Sequence, residues 1–373
     1  MRIIIDNSNL FAGGGIQVAT SFLNDLSTIS TDFEFFVVQS YTISKQIDKN
    51  KFDKKFHFFD LDEPTSKSIL KKSKVLKQIE DRIAPACVFT VFGPSYYKSK
   101  CLKVVGFARG HMLYMDSPYF RKQSLVSNLK QHIKNYIHRH YFIKNSNALI
   151  FETEDAKFRF SEFSNIKSYH VSNTINSIFQ DSSKWCDVEL KHDKSFMILY
   201  VGANYEHKNL SILPEIANGL LKLGVDNFKF VLTLSKDELK IHPSIAQFFE
   251  FVGKVKVEQL PNLYSKCDTV VCPSLLEIFS ATYLEAMFMG KPIISSDMTF
   301  ARGICENAAI YCDPNNPMAY ASSIKKLIDT PELGIELVNK GVNIIRKFGT
   351  SKQRTQAYLE IIKETILNNE NKR

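Results

Sequence analysis

The sequence predicts an α/β protein with two domains, each built around a parallel β-sheet. Short apolar runs typical of strands alternate with segments of helical periodicity along the whole chain, and this alternation favours parallel sheets. The chain has 373 residues, which is more than one hydrophobic core usually organises. The alternation stops in a polar stretch before Ser195 and then begins again, so the chain contains two such series.

The first series occupies residues 1–172 and is followed by a linker over 173–194. Its apolar runs and helical periods predict strands at 2–5, 33–38, 87–91, 102–107 and 147–151, with helices at 16–27, 66–80, 121–142 and 154–163.

The second series occupies residues 195–350. Its strands are expected near 196–201, 228–233, 249–252, 269–272 and 292–295, with helices between them. A last helix is expected over about 351–369. Thr350 and Gln353, at its start, have the spacing of a capping box.

The composition indicates a folded protein of a reducing compartment. The chain is 44% hydrophobic and 23% charged, as globular proteins are. No apolar run is long enough to span a bilayer, and the N-terminus lacks the long apolar core of a signal peptide. The seven cysteines are scattered without a Cys-x-x-Cys pair, which argues against a zinc site or a disulfide framework. We therefore expect a cytoplasmic protein without a bound metal.

The formal net charge of +9 predicts an anionic partner, although no nucleic-acid-binding motif is visible and nucleic acid is not expected. The most basic segment, 121–144, contains no acidic residue, and its apolar positions recur at helical spacing. Two interpretations stay open. The helix can lie on an anionic membrane, which would make the protein peripheral on the inner face of the cell membrane. Alternatively, it can pack on the core and expose a solvated basic face.

Two carboxylates eight residues apart mark the strongest candidate site. Glu277 follows the predicted strand 269–272, and Glu285 lies on a helix that is expected to begin near Ser280. The carboxyl edge of a parallel sheet is where ligands of open α/β folds bind. Helix N-termini attract phosphate, and carboxylates accept hydrogen bonds from sugar hydroxyls. The competing interpretation is that Glu277 caps a helix and Glu285 is a solvated surface charge.

Further loops follow predicted strands and reach the same kind of edge. Gly13-Gly14-Gly15 follows the first strand, and glycines there permit positive φ and a close backbone approach to a ligand. The segment 200–210 follows the first strand of the second series, and 106–111 follows the strand 102–107. The turn at Gly93 precedes that strand.

The stretch 273–292 resembles the paired-glutamate element of retaining glycosyltransferases with the GT-B fold, in particular family 4. The matching positions are Pro273, Ser274, Glu277, Phe279, Glu285, Ala286, Gly290 and Pro292. Ile278 and Ser280 stand where the family usually has glycine. The resemblance is strongest from about 196 to 330. It implies two Rossmann-like domains whose parallel sheets face a central cleft, with the first domain binding the acceptor, the second binding the donor, and the last helix packing back on the first.

The resemblance also implies roles for individual residues. Lys208 would neutralise the donor pyrophosphate, Glu285 would hold the ribose, and Glu277 would hold the donor sugar. His111 and Glu277 are the expected catalytic residues, and Gly93 and Arg109 are expected to bind the acceptor. The expected donor-binding residues are Gly14, Gly15, Gly202, His207, Lys208, Phe279, Ser280 and Glu285. No cofactor or metal is expected.

The implied function is transfer of a sugar from a UDP- or GDP-linked donor to an acceptor hydroxyl, with retention of configuration. The acceptor would be a glycan or a lipid-linked glycan, as in surface polysaccharide or lipopolysaccharide assembly. One alternative is a nucleotide-sugar 2-epimerase, which shares the architecture but needs a carboxylate and histidine set for proton transfer. Another is a non-catalytic basic adaptor for membranes or nucleic acid. The presence of Glu277, Glu285 and Lys208 weighs against the adaptor.

Overall fold

The computed structural model describes residues 1–11, 13–190 and 194–370. The strands, numbered along the described chain, are β1 (Arg2–Asn7), β2 (Glu34–Gln39), β3 (Phe56–Asp60), β4 (Cys87–Thr90), β5 (Leu102–Phe107), β6 (Ala148–Phe151), β7 (Lys167–His170), β8 (Phe196–Tyr200), β9 (Phe228–Leu232), β10 (Phe249–Phe251), β11 (Thr269–Cys272), β12 (Ile293–Ser296) and β13 (Ala309–Cys312).

The α-helices alternate with these strands. They are α1 (Gly14–Leu26), α2 (Tyr41–Ser44), α3 (Glu63–Lys67), α4 (Ile69–Ile83), α5 (Gly110–Leu113), α6 (Pro118–Arg121), α7 (Leu125–Lys144), α8 (Glu154–Ser161), α9 (Leu213–Lys222), α10 (Leu260–Ser265), α11 (Ala281–Phe288), α12 (Thr299–Cys305), α13 (Pro317–Asp329), α14 (Pro331–Ile345) and α15 (Ser351–Glu370). Short 3-10 turns include Glu206–Lys208, after β8.

The strands form two separate sheets, each with only parallel pairings among the described residues. The first has the order β3-β2-β1-β4-β5-β6-β7, and the second has the order β10-β9-β8-β11-β12-β13. The first strand of each series is central, and later strands add on both sides. This doubly wound order places a change of winding direction beside β1 and β8, where open α/β sheets bind ligands. The predicted fold class of two parallel-sheet domains is confirmed.

Helices cover both faces of the first sheet, which explains why β1 is apolar at consecutive positions. Ile3 and Ile5 face a core that contains Phe22 of α1, whereas Ile4 faces a second core that contains Leu76 of α4. All three isoleucines are fully buried. The consecutive apolar run therefore reports burial on both faces of the sheet.

The chain divides into two compact units. Unit 1 contains Met1–Leu113, Ser124–Thr174 and Gly349–Arg373, and unit 2 contains Tyr114–Gln123 and Ile175–Phe348. The sequence predicts a domain of 1–172, but the segment Tyr114–Gln123 is grouped with unit 2. Residues 191–193, at the end of the predicted linker, lie outside the described residues.

Several elements differ from those expected from the sequence. The strands β3, β7 and β13 lie in segments where no strand is predicted. All three are short edge strands of their sheets, and none is buried along its whole length. The helix predicted over 121–142 is wrong at its start. The Ser124 hydroxyl accepts a hydrogen bond from Ser127 N at 3.2 Å and caps α7, so the chain makes a short α6 before it.

The last helix, α15, belongs to unit 1 and packs against α1. Thr350 Oγ1 accepts from Gln353 N at 3.2 Å, and Gln353 Oε1 accepts from Thr350 N at 2.8 Å. These reciprocal bonds confirm the predicted capping box. The ring of Tyr358 then lies 5.7 Å from that of Phe22. The helix thereby covers part of one face of the first sheet.

The exposed and buried residues of α7 bear on the two interpretations of the basic segment. The buried residues of α7 are Asn135, His138 and Phe142. The expected stripe is exposed instead, from 66% at Tyr136 to 44% at Ile137. Its residues do not pack on the core as the second interpretation requires, whereas Phe142 of the same helix does. Within the parts of the chain that the structure describes, no helix is both long and apolar enough to cross a bilayer.

Candidate active site

The candidate donor site lies at one edge of the second sheet. The strands β8 and β11 are neighbours in that sheet, and their carboxyl ends lead into the loops that carry Lys208 and Glu277. These loops are far apart in sequence but meet because parallel strands end at the same edge.

Lys208 and Glu277 form an ion pair in unit 2, with Lys208 Nζ donating to Glu277 Oε1. Their side chains are only 16% and 11% exposed, so solvent screens the pair weakly. Ser280, and not Glu277, occupies the N-cap position of α11. The interpretation of Glu277 as a helix cap is therefore wrong. The pair places a cation and a carboxylate side by side, which suits a charged ligand that also carries hydroxyls.

The backbone ties the two loops together at His207. Its carbonyl accepts a hydrogen bond from Leu275 N at 2.7 Å. The imidazole stacks on Tyr205, with 5.5 Å between ring centroids. Burial lowers the pKa of His207, a shift that Glu277 partly offsets and Lys208 increases. A neutral imidazole at pH 7 contributes hydrogen bonds rather than charge, so Lys208 is the cation of this loop.

Gly202 is required by local packing at the end of β8. Its φ of +152° is a conformation that L side chains rarely adopt, and an added Cβ would lie 2.7 Å from the Tyr200 hydroxyl oxygen. Gly202 N donates to Thr233 Oγ1 at 2.9 Å. A larger residue would displace Tyr200 and with it the start of the loop.

Glu285 is buried rather than exposed, so its interpretation as a solvated surface charge is wrong. Its Oε2 accepts a hydrogen bond from the Tyr264 hydroxyl at 2.8 Å. Burial raises the pKa of Glu285 to about 7, and the bond from Tyr264 opposes part of that rise. Near neutral pH this carboxyl can therefore act as a donor or as an acceptor toward a hydroxyl group.

Phe279 and Ser280 lie between the two glutamates. The Phe279 ring meets Phe348 edge-on, with 6.2 Å between centroids. Ser280 precedes α11 in an extended conformation, and its side chain makes no capping hydrogen bond to the helix. Both residues are half-buried, and their binding roles stay predictions.

The segment Tyr114–Gln123 supports these loops, and sequence reasoning did not find it. Ser117 Oγ donates to the Leu275 carbonyl at 2.6 Å. Lys122 Nζ donates to Asn209 Oδ1 at 2.8 Å. Gln123 Nε2 donates to Glu206 Oε2 at 3.0 Å. We name this segment the strap. No local pattern identifies it, because its partners lie more than eighty residues away in sequence.

The glycine loop of unit 1 leaves space at the start of α1. Gly13 has φ of +76°, which favours glycine, and it takes the N-cap position without a side chain to occupy it. An added Cβ at Gly14 would meet nothing within 4 Å, whereas one at Gly15 would lie 3.1 Å from Leu10 Cδ2. Gly14 therefore borders open space and Gly15 is required by packing. Their donor-binding roles stay predictions.

The expected acceptor and catalytic residues of unit 1 lie after β4 and β5. An added Cβ at Gly93 would lie 2.5 Å from Val105 Cγ1, so packing alone explains this glycine. Arg109 is exposed over part of its surface, and desolvation of the rest lowers its pKa. His111 is half-buried in α5, and its carbonyl accepts from Asn135 Nδ2 at 2.7 Å. None of these contacts assigns a reaction role.

Within the described parts of the chain, no group of three or more His, Cys, Asp or Glu side chains could hold a metal ion.

A family model of known proteins matches much of the second half of the chain. Residues 181–343 match the family model described as glycosyl transferases group 1. The matched range contains Lys208, Glu277 and Glu285, the residues that form the candidate donor site.

Two curated relatives extend the comparison. The chain is 27% identical over 173 residues to the O-antigen chain mannosyltransferase RfbU of Salmonella typhimurium, covering 44% of this chain and 48% of that protein. It is 25% identical over 271 residues to the N,N'-diacetylbacillosaminyl-diphospho-undecaprenol alpha-1,3-N-acetylgalactosaminyltransferase of Campylobacter jejuni, covering 67% of this chain and 69% of that protein. The chain thus spans about half the length of the first relative it matches.

Solved structures of other proteins superpose on almost the whole chain. The sucrose-phosphate synthase of Thermosynechococcus elongatus superposes with a TM-score of 0.74 at 14% identity, covering 98% of this chain and 99% of that one. Anabaena HepE, in a complex with UDP and glucose, superposes with a TM-score of 0.67 at 13% identity, covering 97% and 99%. The chain has the GT-B fold. At these identities the likeness concerns the fold alone.

Proposed function

We propose that this protein is a retaining glycosyltransferase that moves a sugar from a UDP- or GDP-linked donor to the hydroxyl of a glycan or lipid-linked acceptor. The observation that carries the proposal is the Lys208–Glu277 pair, which lies within the family-model match and at the carboxyl edge of the second sheet. A buried cation and carboxylate at such an edge suit the diphosphate and the sugar of one donor.

The proposed reaction needs no metal ion. The bond between the anomeric carbon and the diphosphate oxygen breaks, and its electron pair leaves with the nucleoside diphosphate. The acceptor oxygen bonds to the same face of that carbon, and the acceptor proton passes to the diphosphate. Lys208 stabilises the charge that develops on the leaving group. Glu277 and His111 are the proposed catalytic residues, and Glu285 is proposed to bind the ribose hydroxyls.

We further propose that the acceptor belongs to surface polysaccharide assembly and is presented at the inner face of the cytoplasmic membrane. Two relatives support this part: one is named for O-antigen chain synthesis and the other for a diphospho-undecaprenol substrate. On the protein itself, α7 exposes Leu125, Val126 and Leu129, and Lys130 and Lys134 are exposed on the same helix. Exposed apolar and basic residues on one helix suit an anionic bilayer surface.

A transfer assay tests the proposal. The protein is incubated with UDP- and GDP-linked hexoses and N-acetylhexosamines, together with a glycan linked to polyprenyl diphosphate. We expect one donor to give a product heavier by one sugar residue, whose new linkage keeps the donor's anomeric configuration by NMR. Inversion of that configuration would contradict the retaining mechanism. An epimerised nucleotide-sugar formed without acceptor would instead indicate a 2-epimerase, and a failure to bind any nucleoside diphosphate would overturn the proposal as a whole.

A further inference from the structure

Unit 1 contains two buried lysines whose surroundings differ sharply. Lys103 Nζ donates to the Tyr97 carbonyl at 2.7 Å and to Ser95 Oγ at 3.0 Å. Lys72 is also buried, but among the described residues the one hydrogen-bond acceptor of its ammonium is the Ser66 carbonyl, at 3.5 Å. An ammonium group carries three N–H donors. Lys72 therefore retains hydrogen-bonding capacity that the described residues do not use.

Lys72 lies at the ligand-binding edge of the first sheet. It is in the first turn of α4, which follows β3 and so begins at the carboxyl edge. Arg109 reaches the same edge, since it lies two residues after the end of β5. Burial lowers the pKa of Lys72 and Arg109 lowers it further, whereas Asp6 raises it. The two cations therefore lie at the same edge of the sheet, and the charge of Arg109 affects Lys72.

The carboxylate of Asp6 does not satisfy these cations. Its Oδ1 accepts from the Ser8 hydroxyl at 2.6 Å, and its Oδ2 accepts from Thr90 Oγ1 at 3.1 Å. Asp6 also raises the pKa of Lys103, so one carboxylate is shared by two buried lysines. Among the residues that the structure describes, neither Lys72 nor Arg109 forms an ion pair. No carboxylate among the described residues therefore balances the charges of Lys72 and Arg109 in an ion pair.

We propose that Lys72 and Arg109 form a phosphate-binding site in unit 1, which takes a phosphate or diphosphate group of the acceptor. A phosphate oxygen supplies the acceptor that Lys72 lacks, and the planar guanidinium of Arg109 binds two phosphate oxygens at once. A dianion also balances two cations, which a single carboxylate does not. The exposed Arg109 gives the ligand its first contact, and the exposed Phe11, whose ring centre is 5.3 Å from Lys72 Nζ, borders the buried end.

Anion binding at this site is independent of the proposed reaction, whereas the assignment of the anion to the acceptor rests on the proposed function. The two parts are therefore tested separately. For the first, pyrophosphate is titrated calorimetrically into the Lys208→Met protein, in which the candidate donor site lacks its cation.

We expect Lys72→Met and Arg109→Gln, each added to that background, to weaken pyrophosphate binding by about tenfold, the usual loss for one charge-assisted hydrogen bond. Lys71→Met is the matched control, because Lys71 is the neighbouring residue of the same helix turn and is exposed. Arg109→Gln concerns an exposed side chain, so it stays informative if the Lys72 variant folds poorly. Equal pyrophosphate affinity in all four proteins would overturn the site, and so would a loss confined to one of the two variants.

The second part uses the transfer assay with two acceptors that share one glycan and differ in the diphosphate. Lys72→Met should raise KM about tenfold for the diphosphate-linked acceptor and leave KM for the phosphate-free glycan unchanged. Equal KM increases for both acceptors would show that the site does not bind the acceptor phosphate. Unchanged pyrophosphate binding would refute the site itself, even if transfer is observed.

Discussion

The ammonium of Lys208 and the carboxylate of Glu277 form a nearly buried ion pair although 69 residues separate them in sequence. Each member has a separate role in the proposed reaction, one at the diphosphate and one at the sugar. Breaking a buried pair leaves the remaining charge without its partner, so each member has to be tested with that cost in view.

Replacement of Lys208 by Ala should weaken the binding of nucleoside diphosphates. The diphosphate loses its cation, and the uncompensated Glu277 then repels it. We expect an increase in Kd of about tenfold or more, measured by calorimetry. Lys347→Ala is the control, since Lys347 also pairs with a glutamate of unit 2, Glu306, but at an exposed position. Parental affinity in Lys208→Ala would remove this residue from the donor site.

Replacement of Glu277 or His111 should impair transfer more than donor binding. Contacts that strengthen in the transition state lower kcat when they are removed. We expect Glu277→Ala and His111→Ala each to lower kcat by roughly 10²-fold, as for loss of a positioned electrostatic group. The donor Kd should change much less. Glu306→Ala, which breaks the exposed pair with Lys347, should keep full activity. A fully active His111 variant would make that residue structural.

Glu285 should make unit 2 less stable as the pH rises from about 4.5 to 7. Its pKa is about 7 in the folded protein, above its ordinary value of 4.5, so the folded state binds the extra proton in this window. The contribution of Glu285 to the free energy of unfolding is therefore largest below pH 4.5 and falls by up to about 3 kcal/mol as the pH rises through 7. Glu285→Gln should abolish this slope, because the amide does not titrate.

The measurement is urea unfolding of both proteins at pH 5 and pH 7.5. The difference between Glu285→Gln and the parent isolates this carboxyl from other titrating groups, including His207. A parent and variant whose stabilities change equally between these pH values would show that Glu285 has an ordinary pKa.

The strap should stabilise the donor loops through the buried Ser117. Ser117→Ala leaves the Leu275 carbonyl without its 2.6 Å hydrogen bond, at a cost of about 1–3 kcal/mol. Ser117→Thr keeps the hydroxyl and should restore stability and nucleotide affinity together. Urea unfolding and calorimetry provide the two measurements. Ala and Thr variants of equal stability and affinity would show that the hydroxyl is not needed.

Charge reversal on α7 should weaken membrane binding. Lys130 and Lys134 are exposed, and each basic residue near an anionic bilayer contributes about 1 kcal/mol, so replacing both by Glu should reduce flotation with phosphatidylglycerol vesicles at low salt. Leu125→Ser with Leu129→Ser should reduce it as well, because less apolar area enters the bilayer. Reversal of Lys352 and Lys363, which are exposed on α15, is the control. An unchanged bound fraction in the α7 variants would remove the membrane role.

The sequence by itself determined the fold class and the position of the candidate donor residues. Period-two and apolar patterns are local, and parallel strands with short loops bring Lys208 and Glu277 to one edge whatever the details of packing. The capping box at Thr350 and Gln353 could be predicted for the same reason, since all its atoms lie within four residues. The edge strands β3, β7 and β13 were not predicted because they have only four or five residues, and their place at a sheet edge depends on long-range pairing.

Only the tertiary structure decided which partner each charged or apolar residue has. Periodicity shows that α7 has an apolar stripe, but burial of its opposite side depends on which residues of unit 1 it meets. Glu285 is buried against Tyr264, and Ser117 reaches Leu275 across 158 residues of sequence. Lys72 and Arg109 likewise come to the same sheet edge only when β3, α4 and β5 are assembled. Contacts of this kind depend on three-dimensional packing, and short-range sequence patterns do not encode them.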